Sequence, residues 1–194
     1  MYDYIKGKLV ERNPAYAVIE ANGIGYLLNI SLHTYSQLRE GEHCTLYAHL
    51  VVREDDMQLF GFLETNEREL FRLLISVSGV GVNTARMILS SLSPHEVVRA
   101  IAEGNAPLLQ SVKGIGAKTA QRIIIDLRDK VSKELIPQEK MGIMHNTKKD
   151  EALSGLIILG FQKMMAEKAL QKIIDTEGTG LSVEQLIKHA LKVL

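Results

Sequence analysis

The chain has 194 residues, 46% of them hydrophobic, with one cysteine and no tryptophan. That is enough apolar material for one large core or several small ones, while the lone Cys44 excludes a disulfide framework and a cysteine-rich zinc site. Lys and Arg total 23 against 23 Asp and Glu, and only 5% of residues are aromatic, so neither a uniformly basic surface nor a broad base-stacking platform is available.

The charge is unevenly spread. Residues 1–64 carry five Lys/Arg against nine Asp/Glu, residues 65–130 carry nine against six, and residues 131–194 carry nine against eight. The middle third is the basic one. The opening "MYDYIKGKLV" has no apolar h-region, and the longest apolar run, "LSGLIILGF" at 153–161, is too short to cross a bilayer. The expectation is a cytoplasmic protein with no membrane contact.

Residues 1–63 read as β. "YIKGKLV", "AYAVIE", "IGYLLNI", "HCTLYAHLVV" and "MQLFGF" are rich in β-branched and aromatic residues, and turn signals at Asn13-Pro14, Asn22-Gly23, Glu40-Gly41 and Glu54-Asp55-Asp56 separate them. Five short antiparallel strands fit a small closed barrel, because closure removes exposed edges. "HTYSQLREG" adds a helical turn or two.

From "LETNERELFRLLISV" the hydrophobic period becomes helical, with Leu70, Leu73, Leu74 and Val77 on one stripe. Helical patterning runs through 64–134 with breaks at Gly79–Gly81, Ser93–Pro94, Gly104–Pro107 and Gly114–Gly116. Residues 135–149 are polar and aperiodic, which predicts a flexible linker. Residues 150–194 predict a small bundle of helices at 150–158, 162–175 and 182–193, with a Ser182/Gln185 capping box on the third. The fold class is therefore α+β and multidomain.

Shifted by 35 residues, the middle segment matches itself: "VSGVGVNTARMI" (77–88) lies on "VKGIGAKTAQRI" (112–123), with Val, both glycines, Thr, Ala and Ile coincident. Each copy reads as helix, Gly-x-Gly turn, helix. A Walker A loop fails here, because Ala117 separates Gly116 from Lys118 and a helix precedes the turn where a strand is required. A dinucleotide fingerprint fails too, since Thr84 and Thr119 stand where its third glycine belongs. What remains is a phosphodiester site built from turn amides and a helix N-terminus, which binds without reading bases. Its candidate DNA-binding residues are Gly79, Val80, Gly81, Asn83, Thr84 and Arg86 in the first copy. In the second they are Gly114, Ile115, Gly116, Lys118, Thr119 and Arg122.

The duplicated G-[VI]-G-x-x-T-A pattern resembles the helix-hairpin-helix motif of DNA-binding proteins. With "HLVVRED", the "GF" that follows it and the three-helix C-terminal segment, nearly the whole chain is similar to the RuvA family of Holliday-junction-binding proteins. The resemblance implies an oligonucleotide-binding (OB-type) barrel at 1–63 and a tandem helix-hairpin-helix domain at 64–134. It also implies a motor-binding domain at 150–194, with Leu159, Phe161 and Leu170 as candidate contacts. The implied function is non-enzymatic, without cofactor or metal. A homotetramer, or two stacked as an octamer, would hold a four-way junction open regardless of sequence and recruit a hexameric branch-migration ATPase in recombination, repair and the SOS response. A junction-resolving endonuclease would be a further partner.

By residue chemistry Glu54-Asp55-Asp56 is a solvated turn; the resemblance implies instead that Glu54 and Asp55 form an acidic pin at the tetramer centre. The chain departs from the family where a lysine is usual in the first hairpin, since Asn83 stands there, and Arg86 one turn on is the expected substitute. A hairpin glycosylase would need a catalytic aspartate beyond the motif. Asp126 and Asp129 lie on a charged helix face with Arg128 and Lys130, and read as surface.

Overall fold

The computed structural model describes residues 2–134, 147–178 and 180–194. Most of the linker expected at 135–149 lies outside the described residues. Strands β1 (Tyr4–Arg12), β2 (Tyr16–Ala21), β3 (Ile24–Asn29), β4 (His43–Val52) and β5 (Met57–Phe62) close into a barrel in the order β1-β2-β3-β5-β4. Neighbours are antiparallel except at the closure, where β3 meets β5 in parallel with Asn29 opposite Phe60.

The alternation in the sequence explains the barrel core. Ile5 and Leu9, Ala17 and Ile19, Leu28, and Leu46 and Ala48 fall every second residue on their strands and are all buried. Asn22 (φ 52°) and Gly23 (φ 80°) turn β2 into β3 with both central dihedrals positive, as a type I′ hairpin requires. Helix α1 (Leu32–Gln37) joins β3 to β4, capped by Ser31, whose Oγ accepts from the Thr34 N–H at 3.0 Å.

Five helices follow: α2 (Thr65–Ile75), α3 (Val82–Ser91), α4 (Pro94–Glu103), α5 (Ala106–Gln110) and α6 (Ala117–Glu134). The predicted breaks separate them. Ser93 and Glu96 cap α4 reciprocally, and the Asn105 side chain accepts from Leu108 N–H at the start of α5. Leu70, Leu74, Ile88, Leu89, Ile101 and Leu127 build one buried cluster, which also takes in Phe60 and Phe62 from β5. Phe71 is the keystone, its ring centroid 5.1 Å from Phe60, 5.0 Å from Phe62 and 5.5 Å from the His49 ring. Truncating such a residue to alanine costs about 3–5 kcal/mol. This shared core makes Met1–Pro137 one compact unit, so barrel and hairpin helices are held in a fixed relation.

The second unit, Gln138–Leu194, contains α7 (Thr147–Ile158), α8 (Lys163–Glu177) and α9 (Val183–Ala190). They pack through Ala152, Leu156, Ala166, Leu170, Ile173 and Leu186. The predicted capping box forms, with Gln185 Oε1 accepting from Ser182 N–H at 2.8 Å and Ser182 Oγ from Gln185 N–H at 3.2 Å. Helix α9 stops short of the expected 193 because Lys192 and Val193 donate to His189 and Ala190, tightening the last turn. Among the described residues, no helix is long and apolar enough to cross a membrane.

Candidate nucleic-acid interface

The sequence repeat is a repeat of hydrogen bonds. In the first hairpin, between α2 and α3, Ser76 Oγ donates to Leu73 O at 2.7 Å, Val80 N–H to Val77 O at 3.0 Å and Ala85 N–H to Gly81 O at 2.9 Å. In the second, between α5 and α6, Ser111 Oγ donates to Leu108 O at 2.7 Å, Ile115 N–H to Val112 O at 3.1 Å and Ala120 N–H to Gly116 O at 3.0 Å. Gly79 and Gly114 both have φ 91°, a backbone that side chains rarely adopt. The true duplication is longer than the motif, because Leu73, Leu74 and Ser76 also equal Leu108, Leu109 and Ser111. Extending the alignment upstream would have found the serines that brace each turn.

Each turn presents bare backbone. A Cβ placed on Gly79, Gly81, Gly114 or Gly116 would meet nothing within 4 Å. Gly81 is the N-cap of α3 without any side-chain cap bond, so its first-turn amides point outward beside the positive end of the helix dipole. Ala85 and Ala120 donate the first intrahelical bonds, to Gly81 and Gly116, in matching positions. Asn83 and Lys118 are exposed at the outer face of this turn, with Thr84 and Thr119 half-buried behind them.

Two of the expected contacts need correction. Val80 and Ile115 are buried, 4% and 6% exposed, and their N–H groups are spent on Val77 and Val112. They plug each turn into the core and have neither a side chain nor an amide to offer a phosphate. Arg86 turns toward the barrel: its Nη1 donates to Ala15 O at 3.1 Å and Asn29 Oδ1 at 3.2 Å. Arg122 is exposed and joins the two hairpins, donating from Nη1 to Ser78 O at 3.2 Å. Lys113, exposed beside Gly114, stands where the first copy has Ser78, a position ahead of the glycine pair and so outside the motif.

The acidic residues Glu54 and Asp55 are exposed at the tip joining β4 to β5. Arg53 N–H donates to Asp56 O at 2.8 Å, closing that turn, and Gln58 Nε2 donates to Asp56 Oδ2 at 2.5 Å. Asp56 is thereby engaged in its own hairpin. Asp126 and Asp129 lie exposed on α6. Among the described residues, no three His, Cys, Asp or Glu side chains gather as a metal site would need.

Models of the RuvA N terminal domain, the SAM-like helix-hairpin-helix tandem and the RuvA C-terminal domain match residues 1–61, 71–129 and 147–194. The chain belongs to the RuvA family. Curated relatives named Holliday junction branch migration complex subunit RuvA span it end to end. That of Christiangramia forsetii is 56% identical over 196 residues, covering 100% of both chains. Those of Flavobacterium psychrophilum and Cytophaga hutchinsonii are 50% and 43% identical over 195 and 198 residues, also covering 100% of both chains.

The C-terminal candidates of this RuvA-family chain divide by burial. Leu159 is 59% exposed and Phe161 is half-buried. Leu170 is fully buried against the core of its own unit, which corrects its expected place on a docking face: it sits on the inward stripe of α8 with Ala166, Ala169 and Ile173. The residues exposed in its stead are Ile158 at 85%, Met164 at 67% and Met165 at 51%, around the corner between α7 and α8.

Proposed function

We propose that the chain is the junction-binding subunit of a branch-migration complex, a non-catalytic protein that grips backbone phosphates of four-way DNA without reading sequence. The observation that carries this reading is the pair of hairpins with matched hydrogen bonds and the same φ of 91° at Gly79 and Gly114. Two equal amide cradles in one compact unit suit two points on a regular phosphate backbone. The exposed cations Lys113, Lys118 and Arg122 add counterion release on the second hairpin.

Net neutrality then has a physical account. One subunit with few free cations binds weakly, and four subunits joined in a tetramer raise the effective concentration of every hairpin. In such an assembly Glu54 and Asp55 gather at the crossover, where their charge repels strand phosphates and favours an open junction. The C-terminal unit recruits a hexameric ATPase, for which the apolar corner of Ile158, Leu159, Met164 and Met165 offers an adaptable surface. The protein would act with bacterial DNA in the cytoplasm.

A gel-shift series with a four-way junction and a linear duplex of the same arm sequence tests this reading, with the mass of the complex measured. The expected result is a preference for the junction, weakening with salt, in a complex holding at least four chains. Equal affinity for both DNAs would reduce the protein to a general DNA binder, and an equally tight monomer would remove the avidity argument.

A further inference from the structure

Arg86 is the strongest feature that the phosphate grip leaves unused. It sits on α3, the helix that presents the first hairpin, and its guanidinium turns away from the turn toward the barrel. Its acceptors lie 71 and 57 residues away in sequence, at Ala15 O and Asn29 Oδ1. Asn29 is itself two-sided: while Oδ1 accepts from Arg86, Nδ2 donates to Leu59 O at 3.2 Å. Leu59 belongs to β5, the strand that leaves the acidic turn of Glu54 and Asp55. One amide side chain thus connects the first hairpin helix to the strand that carries the acidic tip, at the point where the barrel closes between Asn29 and Phe60.

A second bond runs parallel to it. Leu32 N–H donates to Ser90 Oγ at 3.1 Å, one turn beyond Arg86 on the same face of α3. The repeat supplies an internal control, since the position matching Arg86 in the second hairpin is the exposed Gln121. Helix α6 packs chiefly on α4 and α5, whereas α3 packs on α2 and also reaches α1 of the barrel. The arginine occurs in the copy that has the barrel beside it.

We propose that Arg86 and Asn29 are positioning residues that set the spacing between the first phosphate cradle and the acidic turn, and thereby the preference for a four-way junction over linear duplex. A linear duplex engages the cradles alone and is indifferent to where the acidic turn lies. A junction must satisfy cradles and acidic turn together, so a loosened joint costs junction affinity selectively. This rests on the function proposed above.

The experiment compares the full-length wild type with Arg86→Met, Asn29→Ala and the double variant, on both DNAs over a salt series. Expected for Arg86→Met is a junction affinity about tenfold lower, the scale of a lost charge-assisted bond, with duplex affinity within about twofold of wild type. The slope of log affinity against log salt stays unchanged, Asn29→Ala reproduces the pattern, and the double variant is no worse than either single one. If Arg86 instead contacts phosphate, its loss weakens both DNAs by the same factor and lowers the salt slope by about one per engaged hairpin, and Asn29→Ala is silent; that result overturns the proposal. Should Arg86→Met fail to fold, Asn29→Ala decides the matter, because it removes an acceptor and no charge. A wild type that does not prefer the junction refutes the proposed function itself, which is a different outcome from a wild type that does and an Arg86→Met protein equally impaired on both DNAs.

Discussion

In the second hairpin Arg122 reaches sideways to the turn carbonyl Ser78 O of the first, while in the first hairpin Arg86 reaches back to the barrel. Around them the backbones agree bond for bond, from Ser76 and Ser111 through Ala85 and Ala120. What differs is the charge left over for a ligand. The second copy exposes Lys113, Lys118 and Arg122, where the first has Ser78, Asn83 and Met87. The duplicated motif therefore separates two contributions that usually come mixed: backbone amides, common to both copies, and cationic side chains, concentrated in one. The copy without surplus charge is the one tied to the barrel, so under the proposed function position and attraction would fall to different hairpins.

The largest effects should come from the shared part. At φ 91° an L-residue is strained, so Gly79→Ala and Gly114→Ala should each cost on the order of 1–3 kcal/mol within the hairpin. Both should lower the melting temperature of the Met1–Pro137 unit in the full chain and weaken junction binding by similar factors, measured by calorimetry and titration. A variant pair differing more than tenfold in junction affinity would break the equivalence of the two cradles.

A middle-sized effect should come from the part that differs. Lys118→Ala should weaken junction and duplex alike and lower the salt slope by about one per engaged hairpin, while Asn83→Ala, which removes no charge, should leave the slope unchanged. Asn83→Lys should raise the slope by the amount that Lys118→Ala removes. Equal slopes for wild type and Lys118→Ala would mean that the second hairpin's lysine releases no counterion, and the charge asymmetry would have no role in binding.

These comparisons also mark where the sequence was readable. The hairpins, the Asn22-Gly23 turn, the Ser182/Gln185 cap and the barrel alternation are local rules, complete within a few residues, and all appear in the structure. Burial of Val80 and Ile115 was legible in principle, since an apolar residue between two turn glycines has only the core to face. The fate of Arg86 was not, because its acceptors lie 71 and 57 residues away and nothing in local spacing marks them. Phe71 shows the same limit: its contacts with Phe60 and Phe62 depend on how the barrel docks. Leu170 was readable and misassigned, since Ala166, Ala169 and Ile173 already place it on the inward stripe of α8.

The smallest effect concerns a further tie between the helices of the first hairpin and the barrel. Glu67, in the first turn of α2, is fully buried, with Ser31 Oγ donating to its Oε1 and Thr34 Oγ1 to its Oε2 at 2.7 Å. Helix α5, its counterpart before the second hairpin, carries no ionisable side chain. Burial pushes the Glu67 carboxyl above its ordinary 4.5, and the bonds from Ser31 and Thr34 only partly oppose this. In the window between 4.5 and that raised value the folded state holds more protons at this site than the unfolded state. Stability contributed by Glu67 is therefore full below the window and declines as pH rises through it. Glu67→Gln keeps the shape and cannot titrate, so the stability difference between wild type and variant should move in the variant's favour across that window, read by denaturant unfolding at a series of pH values. A difference that stays constant with pH would mean that Glu67 remains ionised in the folded protein and that its two hydroxyl donors fully offset its burial.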